Sequence, residues 1–434
     1  MPAMWRLEGV VQHYHWGDEH TLASLLGRPP SGRPEAEYWL GAHGKAPSRV
    51  LETTEEGPPR TLDQMIAADP VAALGPATAK RFGQLPFLFK ILAVDQPLSI
   101  QAHPDNRQAS TGFERENRRG IPLDSPTRNY RDRNHKPELI CALTPMEAKC
   151  GFRTVDGLRQ VASLFRSEPV SRVFSVLDLA HGARLDDDAQ TVVIKELMHR
   201  LLTLSKAEVG RIVDAAVSEC RSMVGENHGD GDMEGRMLDA GGPIDRDELA
   251  RTVAWTVRAH DCYGPDVGVL VALLLNHIVL EPGQGLFLEA GNVHAYLSGV
   301  GVELMANSDN VLRCGLTSKH VDVDELLAIA EFAPGRPFVL EPEGTEHRFA
   351  PSIPEFSLVR MVVGPDRKPG CWLECDVDGP EIVLATGGTM MVESGIDRWA
   401  LRPGEAVFVG ADESRFRLRL DVSSAVAWRA TIGR

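Results

Sequence analysis

The chain has 434 residues, of which 43% are hydrophobic, so it can bury several real cores and is too apolar to be a disordered chain. Its formal charge of −15 argues against non-specific nucleic-acid binding, which needs clustered Lys and Arg. It leaves room for a phosphorylated small molecule held by a few local cations. Seven cysteines, at 141, 150, 220, 262, 314, 371 and 375, form no C-x-x-C motif and no even framework, so a reducing, cytoplasmic compartment is expected. The N-terminus lacks the basic and apolar regions of a signal peptide. The longest apolar run, Val267 to Leu280, is short for a bilayer and contains Asn276 and His277, so no membrane span is expected.

From Trp5 to Leu51, short apolar and aromatic runs alternate with Gly and Pro, predicting strands and turns. Arg60 to Phe82 predicts short surface helices punctuated by Pro70 and Pro76. Pro86 to Val94, PFLFKILAV, reads as a central strand. Lys90 within it needs a polar neighbour if buried, or else carries its ammonium to the surface on an aliphatic stem. The following Q-A-H places Gln101 and His103 on one face of an extended strand, where both can reach a common point. Pro104, Asp105 and Asn106 end that strand, and the polar segment to Asn134 shows no apolar period, as expected of a long excursion. The chain returns at His135-Lys136-Pro137-Glu138, where ELICAL suits a buried strand.

After Arg153 the period changes. Gly157–Glu168, Thr191–Leu204, Lys206–Met223 and Asp245–His260 space their apolar residues by three and four, predicting amphipathic helices. Asp245 and Glu248 stand at capping-box spacing. Gly225 to Pro243 is nearly empty of large apolar groups and is expected to be a mobile loop. A helical insertion of about a hundred residues thus interrupts a β protein, whose texture resumes at Ile278. There Gly283, preceded by Pro282, stands eleven residues before His294, and further on Gly404, preceded by Pro403, stands eleven before Arg415.

Three segments, QPLSIQAHPD, NHKPE and SDNVLRCGLTSKHVD, closely resemble the type I mannose-6-phosphate isomerases, zinc-dependent enzymes of the cupin fold. QHYHWG and EYWLGAH followed by KAPS look like that family's N-terminal signatures, so the resemblance spans roughly the first 330 residues. It implies a mainly β fold with a helical insertion. A catalytic cupin barrel from 1–153 and 265–330 would carry a helical domain at 154–264, followed by a second, degenerate cupin barrel at 331–434. The spacing from Gly283 to His294 is that of the second cupin motif, with Glu289 replacing its usual proline; in the C-terminal copy Arg415 takes the histidine's place, implying a barrel without metal. That barrel would be built from strands such as EIVLAT, TMMVES, AVFVG and RFRLRL.

Family zinc ligands match Gln101, His103, Glu138 and His294, giving one Zn²⁺ per subunit. Two imidazoles and a carboxylate suit zinc on chemical grounds as well, whereas the glutamine ligand rests on the resemblance alone. The implied reaction interconverts D-mannose 6-phosphate and D-fructose 6-phosphate through an enediol or enediolate. Arg313 matches the family's catalytic arginine, and Ser99, Lys136 and Lys319 are candidate phosphate donors. Glu303, Asp309, His135 and Lys136 are unranked candidates for the proton carrier. Glu303 could instead simply pair with Arg313, and Asp309 could close an Asx turn. The expected partner is a small sugar phosphate, with neither nucleic acid nor membrane, and a monomer is expected while an oligomer stays open. Two other functions fit the bare residue set: an Fe(II) oxygenase on the two-His, one-Glu ligands, and a non-catalytic sugar-phosphate-binding double cupin.

Overall fold

The computed structural model describes residues 4–51, 60–180, 185–225 and 242–433. Most of the Gly225–Pro243 stretch therefore lies outside the described residues. No helix among the described residues is long and apolar enough to cross a membrane.

The first β body is organised around one long strand, His294–Ala306, because it serves two surfaces. Its C-terminal part pairs with Phe87–Val94 and Glu138–Ala142, and its N-terminal part pairs with Ile100–Ala102 and Met146–Phe152. A register shift between Tyr296 and Ser298 bends it at that junction. Next to the bend, Gly299 has φ +104, and a Cβ there would lie 2.6 Å from the Pro145 carbonyl, so glycine is required on both counts. The Phe87–Val94 strand is buried along its whole length, as the sequence predicts.

A second β body, formed by a seven-stranded and a four-stranded sheet, contains the predicted strands Glu381–Gly387, Met390–Ser394, Ala406–Val409 and Arg415–Leu420. Strand alternation divides its side chains between two cores. Val383, Ala385, Val407 and Val409 point into its own interior, whereas Ile382, Leu384 and Phe408 join Phe87, Phe89 and Leu139 of the first body in a shared core. The N-terminal strand Met4–Glu8 pairs with Ala406–Val409 and with Arg49–Leu51. The expected division at 153 and 331 is therefore crossed: residues near the N-terminus complete the C-terminal sheet.

Helices Val155–Ala162, Asp187–Leu202, Lys206–Gly225 and Arg246–Tyr263 form the expected insertion. Asp245 caps the last by accepting from the Glu248 backbone N–H at 2.8 Å, but the Glu248 side chain does not complete the box. It is buried between Arg153 and Arg336, tying the insertion to the β body. Within the long excursion, read from its lack of an apolar period, lies a helix, Asn106–Arg118, with a capping box between Asp105 and Gln108. Its buried face is Ala109, Gly112 and Glu116, with Gly112 against the Tyr130 ring, so an apolar period was absent where a helix nonetheless forms.

The duplicated turns take the same form. Gly283 and Gly404 have φ +98 and +86, and their N–H groups reach the carbonyls of Ala142 and Ala385, each at 2.8 Å. Arg415 does begin its strand as His294 does, but its side chain points outward to Asp376 at 2.9 Å. Phe416, Leu418 and Leu420 take the inward positions, so the place assigned to Arg415 from spacing is corrected by the pleat: one residue decides which face a side chain meets.

Candidate active site and metal centre

A cavity of about 980 Å³ opens in the first β body. Three strands converge beside it. His294 lies directly opposite Gln101 on the neighbouring strand, and Gln101 lies opposite Arg313 on the next. Directly opposed residues share a face, so these three side chains are neighbours by register alone. Glu138 enters from the strand paired with Gly285–Leu288, and His103 follows the end of the Gln101 strand.

His103, Glu138 and His294 form a buried cluster whose nearest ligand atoms all lie within 4.8 Å. Each imidazole is oriented by a carbonyl, which can only accept: His103 Nδ1 donates to Asn310 at 2.9 Å and His294 Nδ1 to Asn292 at 3.0 Å. Nε2 of each ring is therefore the atom left facing the Glu138 carboxylate, each 3.3 Å from one of its oxygens. His103 Nε2, His294 Nε2 and Glu138 Oε2 are buried without a hydrogen-bond partner, a costly arrangement unless a cation completes it. Burial, reinforced by Lys136, lowers the His103 pKa to about 4. Burial opposes ionisation of Glu138, but Lys136 and His103 outweigh it and hold its carboxyl well below the ordinary range. A neutral His103 and an ionised Glu138 are in the protonation states that zinc requires. Gln101 lines the same cavity, where its amide oxygen can serve as a further ligand.

The other expected residues divide. Ser99, Lys136, Glu303, Asp309, Arg313 and Lys319 line the cavity. His135 is not among its lining residues; it faces Glu355 of the second β body at 2.9 Å. Lys136 Nζ lies 2.7 Å from Glu138. Glu303 pairs with Lys90 at 2.8 Å rather than with Arg313. Lys90 is thus buried and partnered, its pKa raised by Glu303 and Glu37 although burial opposes this. Burial raises the Glu303 pKa even with Lys90 beside it. Asp309 turns its carboxylate to Lys45 at 2.8 Å and His43 at 3.7 Å, so it closes no local turn.

Several contributors carried no signal of their own in the sequence. Arg131 comes from the excursion and, after burial, depresses the pKa of Arg313; Lys319 is lowered by burial and then by both arginines. Such like-charge crowding is relieved by a bound dianion. Asn310, fully buried, donates through Nδ2 to the Asp132 and Asn134 carbonyls at 3.0 and 2.8 Å while its own carbonyl holds His103. Its place in SDNVLR was visible, but its role depends on a loop nearly two hundred residues away.

The comparisons with known proteins agree with this geometry. Residues 4–155 match the family described as phosphomannose isomerase type I, catalytic domain. The mannose-6-phosphate isomerase of Salmonella typhimurium is 36% identical over 425 residues, covering 95% of this chain and 96% of the relative. The Bos taurus enzyme of that name is 31% identical, with 94% and 93% covered. A crystal structure of mannose 6-phosphate isomerase from Salmonella typhimurium, bound to fructose 6-phosphate and zinc, superposes with a TM-score of 0.82 at 32% identity and full coverage of both chains. A zinc-bound holo structure gives the same TM-score at 33% identity, again over both whole chains. With relatives above 30% identity along nearly the entire length, the chain belongs to the type I phosphomannose isomerase family.

Proposed function

We propose that the protein is a zinc-dependent aldose-ketose isomerase interconverting D-mannose 6-phosphate and D-fructose 6-phosphate. The observation that carries this reading is the trio of orphaned ligand atoms on His103, Glu138 and His294, of which Glu138 lines a cavity crowded with cations. Gln101 would complete the set. Zinc held there by His103, Glu138, His294 and Gln101 would supply Lewis-acid chemistry to the site.

The chain's own groups supply the rest. Lys319, Arg131 and Ser99 offer charge and hydrogen bonds to the phosphate, which relieves the repulsion among the cations. Isomerisation removes a proton from C2 of mannose 6-phosphate and returns one to C1, passing through an enediolate. Glu303 is our candidate for that carrier: it lines the cavity, and burial raises its affinity for a proton toward the range a general base needs. Lys90 fixes the Glu303 carboxylate, and Lys136 fixes Glu138. Arg313, opposite Gln101, lies beside the proposed metal set and is assigned to the charge that develops on the enediolate oxygens. Asp309, kept ionised by Lys45 and His43, is a hydrogen-bond acceptor for sugar hydroxyls rather than a base.

A coupled assay of mannose 6-phosphate turnover tests the reading. Activity is expected with one zinc per chain, loss on chelation and recovery on adding zinc back. A zinc-replete protein that binds the sugar phosphate but does not turn it over would overturn it.

A further inference from the structure

His135 was a candidate proton carrier, yet it leaves the cavity and meets the second β body. Its place is nevertheless sensitive. The backbone around it is pinned on both sides: the His135 N–H donates to Asn106 Oδ1 at 3.1 Å, and the Pro137 carbonyl accepts from Ala306 N–H at 3.1 Å. Between these points the two neighbouring side chains part. Lys136 enters the cavity and reaches Glu138, while His135 reaches Glu355 at 2.9 Å with side-chain exposures of only 15% and 12%.

Glu355 is itself held firmly. Its neighbour Phe356 is fully buried in the core shared by the two β bodies, and the Pro354 carbonyl accepts from the Gly433 N–H at 3.1 Å. Burial would push the Glu355 carboxyl up, but His135 outweighs it and the net shift is downward, which keeps the carboxylate ionised. Glu355 Oε2 and His135 Nε2 have no well-directed hydrogen bond, and the contact lies in a poorly solvated place. Losing either partner leaves the other polar group without its contact in a largely enclosed place. The strain then falls on a segment with one residue in the cavity and, three residues after His135, a metal ligand.

We infer that Glu355 and His135 are positioning residues, through which the second β body sets the direction of Lys136 and hence its contact with Glu138. The inference rests on the isomerase reading of the cavity. Neither residue lines the cavity, so both act through Lys136. In this role the second β body contributes to turnover.

Two readouts test it. In zinc-loaded protein, Glu355→Gln, Glu355→Ala and His135→Gln should each lower kcat by about tenfold, the scale of a small misplacement of a reacting group. Glu355→Asp should recover part of the loss, zinc content should stay unchanged, and the Glu355→Gln/His135→Gln double variant should fall no further than either single. In a Lys136→Met background, Glu355→Ala should cost nothing more. The second readout does not depend on catalysis: the rate of amidination of Lys136, followed by peptide mass spectrometry, should rise several-fold in Glu355→Gln. An unchanged labelling rate, or an equal loss of kcat with and without Lys136, would overturn the inference. A wild-type protein without isomerase activity would instead sink the functional reading, and the labelling result would still judge the pair.

Discussion

The two β bodies place a buried glutamate at the same point and treat it in opposite ways. Counted back from the matched turns, Glu138 precedes Ala142 as Glu381 precedes Ala385. Across the adjacent strand, Glu303 faces Ile140 and Arg429 faces Val383, so those two positions correspond as well. In the first body the Glu138 oxygens look toward two imidazole Nε2 atoms that lack partners. In the second, Arg429 Nε and Nη2 take both oxygens of Glu381, each at 2.9 Å. An inward carboxylate is therefore not what makes a metal site. Electron pairs left unsatisfied around it are, and a guanidinium in the fold can use up the same carboxylate that would otherwise hold an ion.

The largest effect is expected where the first body would be made to resemble the second. His294→Ala should abolish tight zinc binding and reduce turnover to background together, since one of two nitrogen ligands is lost. His260, a remote histidine on the helical insertion, serves as the control, and its alanine variant should keep both. Metal analysis and the isomerase assay on the same preparations decide the matter. Full zinc occupancy in His294→Ala would refute the ligand assignment.

The reverse manipulation strands the second glutamate. Glu381 and Arg429 are 2% and 5% exposed in their side chains, so Arg429→Ala leaves a carboxylate buried without its cation. The expected cost is about 3–5 kcal/mol of stability, read by chemical denaturation. Replacing both partners with apolar residues of similar volume should recover much of it. A single variant as stable as wild type would mean that water already reaches Glu381.

How much of this contrast was legible in the sequence follows from the length scale of each signal. The proposed ligands His103, Glu138 and His294 lie in short segments whose residue types and spacing carry the resemblance, so they could be read locally. The Lys90–Glu303 pair could not, because the partners are 213 residues apart and only strand register brings them opposite each other. Arg415 shows the limit of spacing: its distance from Gly404 equals that from Gly283 to His294, yet the pleat turns it to solvent. The helix Asn106–Arg118 shows the limit of periodicity, because its buried face is made of small and charged residues. The N-terminal strand joined the distant C-terminal sheet, a pairing for which neither segment carries a local sign.

Within the first body, Arg313 separates catalysis from binding. A guanidinium that stabilises the enediolate should lower kcat when removed, whereas one that only holds phosphate should raise KM. Arg313→Ala is expected to lower kcat by about a hundredfold, corresponding to about 2.7 kcal/mol, with zinc content intact. Lysine should restore it only partly, because a point charge cannot reproduce a planar fork of donors. Unchanged kcat with a raised KM would move Arg313 to the phosphate side of the cavity, with Arg131 and Lys319.

The smallest effect is expected at Arg415, and it bears on which parts of the second body matter. Were that body a second reaction centre with Arg415 in the histidine's role, as spacing alone suggests, Arg415 would be among the most sensitive residues in it. The Arg415 side chain is instead 59% exposed and that of its partner Asp376 74%, so water and salt screen the pair. Exposed pairs of this kind contribute about 0–1 kcal/mol, and the low end applies here. Arg415→Ala should therefore leave kcat, KM and zinc content at wild-type values and shift the denaturation midpoint only slightly. Glu355, in the same body but facing His135 across the shared core, is expected to behave differently. Steady-state kinetics on Arg415→Ala beside Glu355→Gln would locate the second body's influence at its contact with the first. Loss of turnover in Arg415→Ala on the scale of a ligand variant would place chemistry in the second body and break the contrast.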